Sequence, residues 1–251
     1  MGESWLSRLV AASAPRLSRP PTPGPGLPRR SLAESLKSPG VRIVAEVKRR
    51  SPSAGVLRDP LLPGELARSY EAGGAAALSV VTEPEFFWGD AAWVAEVKKA
   101  SSLPVLQKDF FSRPEHLQHG VAAGADAVLL IARVLPGSLL SEMLACCREL
   151  GVEALVETHD RHELEAAVAA GATLVGVNSR DLASFTVDVE RAASLVRELP
   201  AGVVGVLESG IKSRTQFREL CEGGVRCFLV GEYLLRQADP TAALRELVAP
   251  W

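Results

Sequence analysis

The chain has 251 residues and a formal charge of −2, with 47% hydrophobic and 23% charged residues, which describes an ordinary globular protein able to bury a real core. No basic run favours nucleic acid, and no apolar stretch reaches the length of a membrane helix. Its four cysteines, Cys146, Cys147, Cys221 and Cys227, lack metal-type spacing and no signal peptide precedes them, so a reduced cytoplasmic protein is expected. Residues 1–40 read apart from the rest. An apolar start, "SWLSRLVAA", meets "PRLSRPPTPGPGLPRR", where proline and glycine argue against regular structure, and "SLAESLKSPG" leads into the body. This extension is open to two readings: a loose tail, or a segment packed over the mouth of the body.

From residue 41 a pattern repeats. Apolar or β-branched runs are "RIVAEV", "ALSVVT", "LPVLQKD", "DAVLLIA", "VEALVE", "TLVGVN", "VVGVLE" and "CFLVG"; helix-like stretches such as "ELARSYEAGG" and "RHELEAAVAAG" lie between them, several closing on glycine. Eight such units in this length favour a closed α/β fold, a (β/α)8 TIM barrel over residues 41–251, above a doubly wound open sheet.

Reacting groups in such barrels come from the C-terminal strand ends. Here those ends fall near Val47, Thr82, Lys108, Ala132, Glu157, Asn178, Glu208 and Val230. They bring Glu46 and Lys48, then Lys108, Glu157, Asn178 and Arg180, and finally Glu208 and Ser209. Residues two apart in a strand share a face, so Glu46 and Lys48 look into one space. Lysine is scarce, six against 22 arginines. Codon bias accounts for the ratio, yet a lysine kept at a strand end offers an ammonium that can surrender its proton, as guanidinium cannot.

The last two strands finish with "SGI" and "VGEY", each glycine expected to open a helix. Backbone N–H groups at Gly210 and Gly231 would then meet an anion at the usual barrel phosphate position. Aromatic residues cluster in "EFFWG" (Phe86, Phe87, Trp88) and "KDFF" (Phe110, Phe111). Each suits core packing singly, whereas two clusters on one face would suit a flat aromatic ligand. His159 and His162, in "THDRHELE", are expected at the surface and suggest no metal site.

The motifs "AEVKRRSPSAG", "SVVTEPEFFWG", "PVLQKDF", "LVET", "VNSRDL", "ESGI" and "FLVGEYLL", in order over residues 43–235, closely resemble those of indole-3-glycerol-phosphate synthases of tryptophan biosynthesis. The resemblance implies ring closure of 1-(2-carboxyphenylamino)-1-deoxyribulose 5-phosphate with loss of carbon dioxide and water, and no metal or organic cofactor. It implies Lys108 as the general acid at the carbonyl, Lys48 as a second acid near the phosphate, and Glu157 as the base, with Glu46 and Asn178 positioning the reacting groups. Which lysine serves which step stays open. Polar substrate contacts are implied for Arg180, Glu208 and Ser209, and a ring pocket for Phe87, Phe110 and Leu182. Ser51, Gly210, Gly231 and the backbone N–H of Glu232 would cradle the phosphate beside Lys48. Some members have serine at the position of Glu232, so its carboxylate is expected to turn away from the phosphate. The extension matches the family poorly, and Trp5 is its candidate contribution to the pocket.

A small phosphorylated substrate, a monomer, and no nucleic-acid or membrane partner are expected. Two rivals share the barrel: a Schiff-base aldolase with Lys108 as nucleophile, and a non-catalytic phosphometabolite-binding barrel. A phosphoribosylanthranilate isomerase would share the phosphate site but needs a strand-end cysteine, and no cysteine stands at such a place.

Overall fold

The computed structural model describes residues 5–19, 21, 26–181 and 185–249. Eight parallel strands form a closed barrel: β1 (Arg42–Val47), β2 (Ala77–Val81), β3 (Val105–Lys108), β4 (Ala127–Ile131), β5 (Glu153–Thr158), β6 (Leu174–Asn178), β7 (Val204–Glu208) and β8 (Cys227–Val230). Each pairs with the next, and β8 returns to β1 with Arg42 opposite Cys227 and Ala45 opposite Val230. The expected strand ends lie within one residue of these.

Strand parity builds two hydrophobic layers. Val44, Leu106, Leu129, Leu155, Leu174, Val206 and Leu229 point inward and pack together inside the barrel. Their neighbours Ile43, Ala45, Val105, Val128, Val156, Val175 and Phe228 point outward to the helices. Burying each leucine contributes roughly 1.5–3 kcal/mol. The helices of the barrel are α3 (Pro63–Ala72), α4 (Ala92–Ala100), α5 (Leu117–Ala123), α6 (Leu139–Glu149), α7 (Arg161–Ala169), α8 (Val189–Arg197), α9 (Arg214–Glu222), α10 (Glu232–Leu235) and α11 (Pro240–Val248). Asp160, Asp188, Ser213 and Asp239 cap α7, α8, α9 and α11, each side chain accepting a backbone N–H of the first turn. No helix among the described residues is long and apolar enough to cross a membrane.

Two further helices precede β1, α1 (Trp5–Leu17) and α2 (Leu32–Lys37). Helix α1 buries Leu6, Leu9, Ser13 and Leu17 along one stripe and runs through Pro15, so regular structure extends further into the proline-rich stretch than its composition suggests. Its amino-terminal end lies at the mouth formed by the C-terminal strand ends, where Trp5 and Leu9 line a cavity. Helix α2 plugs the opposite end: Leu32 and Leu36 join the inner cluster, and the Ser35 hydroxyl donates to the Ala76 carbonyl at 2.5 Å. The described part of the extension is therefore packed, one helix at each end of the barrel.

Candidate active site

The parity that buries Leu106, Leu155 and Val206 inside the barrel sends Lys108, Glu157 and Glu208, two residues further on, into the same interior nearer the mouth. Glu46 follows Val44 by the same rule. Lys108 Nζ stands 2.7 Å from Glu208, 3.6 Å from Glu157 and 3.8 Å from Glu46. Burial works against its charge, but the three carboxylates, Glu208 first, outweigh this and hold the ammonium above its ordinary range. Glu208 is fully buried, and burial pushes its carboxyl up to about 7, with Lys108 opposing and Glu157 reinforcing the rise. Glu46 shifts the other way: burial raises it, yet the ammonium groups of Lys48 and Lys108 bring it below the carboxylate range. The Lys48 ammonium donates directly to Glu46. Glu46 therefore stands between the two ammonium groups and offsets their mutual repulsion.

Two glycines make room for these carboxylates. A Cβ on Gly176 would collide with the Glu208 carboxylate, and one on Gly231 would come within 3.0 Å of Glu46 Cβ. Gly231 thus belongs to the packing of Glu46 as well as to the β8 end.

Beyond β7 the backbone is strained. Ser209, at φ 66°, and Gly210, at φ 82°, are both left-handed. For serine this conformation is costly and tends to mark functional loops. A side chain on Gly210 would also run into Ser179 Oγ at 2.7 Å. Helix α9 starts only at Arg214, capped by Ser213, so Gly210 does not open a helix as the sequence suggested; Gly231 does, as the residue before α10. The Glu232 carboxylate accepts from Arg236 at 3.0 Å and lies 3.8 Å from Arg180. Its charge is occupied by arginines.

Lys48, Lys108 and Glu157 line a cavity of about 450 Å³ together with Asn178, Arg180 and Ser51, a size suited to a small molecule. Ser209, Gly210, Gly231 and Glu232 line it as well. Phe87 and Phe110 face it with ring centroids 6.2 Å apart, and Trp5 packs edge-on to Phe86 at 5.1 Å and to Phe185 at 6.2 Å. The two aromatic clusters divide. Phe111 is in the outer core, and Trp88, 41% exposed, sits beneath the Arg49 and Arg50 guanidinium groups. Glu208 lies behind Lys108 and is not part of the wall. Leu182 falls outside the described residues.

Two further buried acids, Glu83 and Asp109, and a histidine complete the site. The Glu83 carboxylate accepts the N–H groups of Glu85, Phe86 and Phe87 at 2.9, 2.8 and 3.1 Å, which fixes the loop carrying the aromatic wall. Asp109, next to Lys108, accepts from Thr82 at 2.6 Å and pairs with Arg16 of α1 at 2.7 Å. His159 corrects the surface expectation: it is buried between Glu157 and Glu163, while His162 is exposed as expected. Glu83 went unread in the sequence, and an acid two residues past a strand end, as in "TEP", is the signal that could have found it.

A family model described as indole-3-glycerol phosphate synthase matches residues 24–247. A relative from Syntrophobacter fumaroxidans is 46% identical over 222 residues, covering 87% of this chain and 84% of its own. One from Desulfosudis oleivorans is 43% identical, covering 88% and 85%, and one from Campylobacter curvus is 39% identical, covering 97% and 90%. All three carry the name indole-3-glycerol phosphate synthase. Among solved structures, a thiamine phosphate pyrophosphorylase from Pyrococcus furiosus aligns with a TM-score of 0.63 at 17% identity, over 86% of this chain and 96% of that one, a likeness of fold alone. With this barrel, this ring of acids and ammonium groups, and these relatives, the chain belongs to the indole-3-glycerol phosphate synthase family.

Proposed function

We infer that the mouth of this barrel converts 1-(2-carboxyphenylamino)-1-deoxyribulose 5-phosphate to indole-3-glycerol phosphate, with loss of carbon dioxide and water, the carboxy-lyase step of tryptophan biosynthesis that its relatives' name describes. The observation that carries this reading is the Lys108 ammonium held among three carboxylates in a cavity with an aromatic wall. As the carboxyl-bearing ring carbon bonds to the substrate carbonyl carbon, Lys108 donates a proton to the carbonyl oxygen. An amine held above its usual range remains a competent acid here, because the alkoxide forming at that oxygen is a far stronger base. Departure of carbon dioxide returns its bonding pair to the ring. The nitrogen lone pair, acting through the ring, then expels the hydroxyl, which takes a proton from Lys48 and leaves as water. Glu157 removes a proton from the carbon beside the nitrogen, and the indole is complete.

Asn178 and Glu46 orient these groups, Glu46 through its bond from Lys48. Phe87 and Phe110 hold the aromatic ring, Arg180 and Ser209 its polar substituents, and Glu208 acts on the substrate through Lys108. Lys48, Ser51 and the backbone N–H groups of Gly210, Gly231 and Glu232 hold the phosphate, with the Glu232 side chain drawn aside by Arg236. The chain works as a cytoplasmic monomer on this one phosphorylated substrate.

The held proton also argues against a Schiff-base aldolase, whose lysine must present a free amine. Indole fluorescence should grow when the purified protein meets the substrate, and borohydride should trap no adduct on Lys108. A lack of indole signal, or a reduced adduct at Lys108, overturns the reading.

A further inference from the structure

His159 is a buried imidazole that the mechanism above does not use. It follows β5 two residues after Glu157, so both side chains turn to the same side. Its Nε2 lies 3.4 Å from Glu157 Oε1, while the other oxygen of that carboxylate, Oε2, is the one 3.6 Å from Lys108. Its Nδ1 lies 3.1 Å from Glu163 Oε2, and its backbone N–H donates to the same oxygen at 2.8 Å. Glu163 is anchored in turn by Arg133 Nε at 2.5 Å, and Arg133 approaches Asp160 at 3.5 Å and Asp181 at 3.6 Å. From α8, Arg191 donates to the His159 carbonyl at 2.5 Å. A chain of contacts thus runs from Arg133 at the rim through Glu163, His159 and Glu157 to Lys108.

We propose that His159 is a positioning residue for Glu157: its imidazolium form donates from Nδ1 to Glu163 and, closing the 3.4 Å gap across which Nε2 has no hydrogen-bond partner among the described residues, from Nε2 to Glu157 Oε1, leaving Oε2 turned to Lys108 and the substrate. In the neutral form the Nδ1 proton stays with Glu163, and Nε2 presents a lone pair to the carboxylate. That contact is repulsive and releases the orientation. The inference rests on Glu157 being the base. Burial disfavours the charged imidazole, but the bond to Glu163 and the charges of Glu157 and Glu163 outweigh it and raise its pKa. The oriented site is therefore present at low pH and is lost as pH rises through a value above the ordinary imidazole range, about 6.5.

The test uses the full-length protein and three measurements. The first is the pH profile of kcat. The second is an NMR titration of labelled histidine, with His159 assigned through its variants. The third is the split between kcat and KM in His159→Gln and His159→Leu. The glutamine amide reaches the Nε2 position and does not titrate, so His159→Gln should keep kcat within about threefold at neutral pH and lose the alkaline limb that tracks the His159 titration. Glu208, at about 7, titrates nearby but is untouched by this change, so the limb removed is that of His159. His159→Leu, with no donor, should lose about tenfold in kcat with KM little changed, a fraction of the roughly 10²–10⁴-fold that acid–base catalysis supplies. An unmoved profile in His159→Gln, or full kcat in His159→Leu, overturns the inference while turnover by the unaltered protein leaves the ring-closure reading standing. Should His159→Leu not fold, the glutamine variant and the titration decide.

Discussion

The barrel holds a buried lysine–carboxylate pair at each end, and they behave oppositely. At the closed end, Lys98 meets Asp126 at 2.5 Å with neither side chain exposed. Asp126 also accepts the N–H of Arg30 at 2.7 Å and of Val105 at 2.8 Å, and the Arg30 guanidinium caps the Ser101 and Leu103 carbonyls at 2.8 and 2.7 Å. At the open end Lys108 faces three carboxylates and a cavity, and Glu208 Oε1 has no hydrogen-bond partner among the described residues. Burial wins over Lys98 and lowers its pKa, whereas surplus negative charge wins over Lys108 and raises it. A saturated pair fastens the structure, and an oversupplied one beside a cavity can exchange protons.

The comparison can be broken at either end. Lys98→Met leaves Asp126 buried without its cation, so stability should fall by about 3–5 kcal/mol while kcat per folded molecule holds. Urea unfolding measures this, and a loss of kcat without a loss of stability would erase the distinction. Lys108→Arg keeps the charge but not a transferable proton. It should lose kcat by at least roughly 10²-fold, about 2.7 kcal/mol, at nearly unchanged KM and a native circular-dichroism spectrum. Near-normal kcat would show that charge alone suffices.

A pH series sharpens the contrast further. The folded protein holds the Glu208 proton up to about 7, while an unfolded carboxylate releases it near about 4.3. Folding is therefore favoured below this window and weakened as pH rises through it. Melting of the unaltered protein relative to Glu208→Gln should show this decline across the window. A gap that grows with pH would contradict the assignment. The smallest effect belongs to Trp5→Ala, which removes the packing on Phe86 and Phe185. KM should rise about threefold to tenfold with kcat unchanged, the loss of roughly 1 kcal/mol of aromatic contact.

The sequence made the strands and the Lys108 cluster legible for the same reason. Along a parallel strand the apolar run is nearly continuous, so a lysine or glutamate at its end stands out, as Lys108 does after "PVLQ". His159, Glu83 and Asp109 were hidden because they lie just past the strand, where polar residues are ordinary, and their burial depends on partners far along the chain. Arg16 meets Asp109 across 93 positions, and no local pattern announces such a pair. The extension misled through Pro15: proline opposes helix in general, but here it stands in the last turn of α1, where the tertiary contacts of Leu9 and Leu17 outweigh it.

The seam between β1 and β8 has a consequence for how the protein is made. Glu46 leaves the ribosome 185 residues ahead (231 − 46) of its neighbour across the seam, Gly231. Translation adds about 5–20 residues per second, so the edge of β1 waits several seconds or more for its partner. Nascent chains arrested before residue 227 lack β8 and hold an exposed strand edge, a target for chaperones and proteases. Activity therefore waits for β8, and each working active site reports that its barrel has closed.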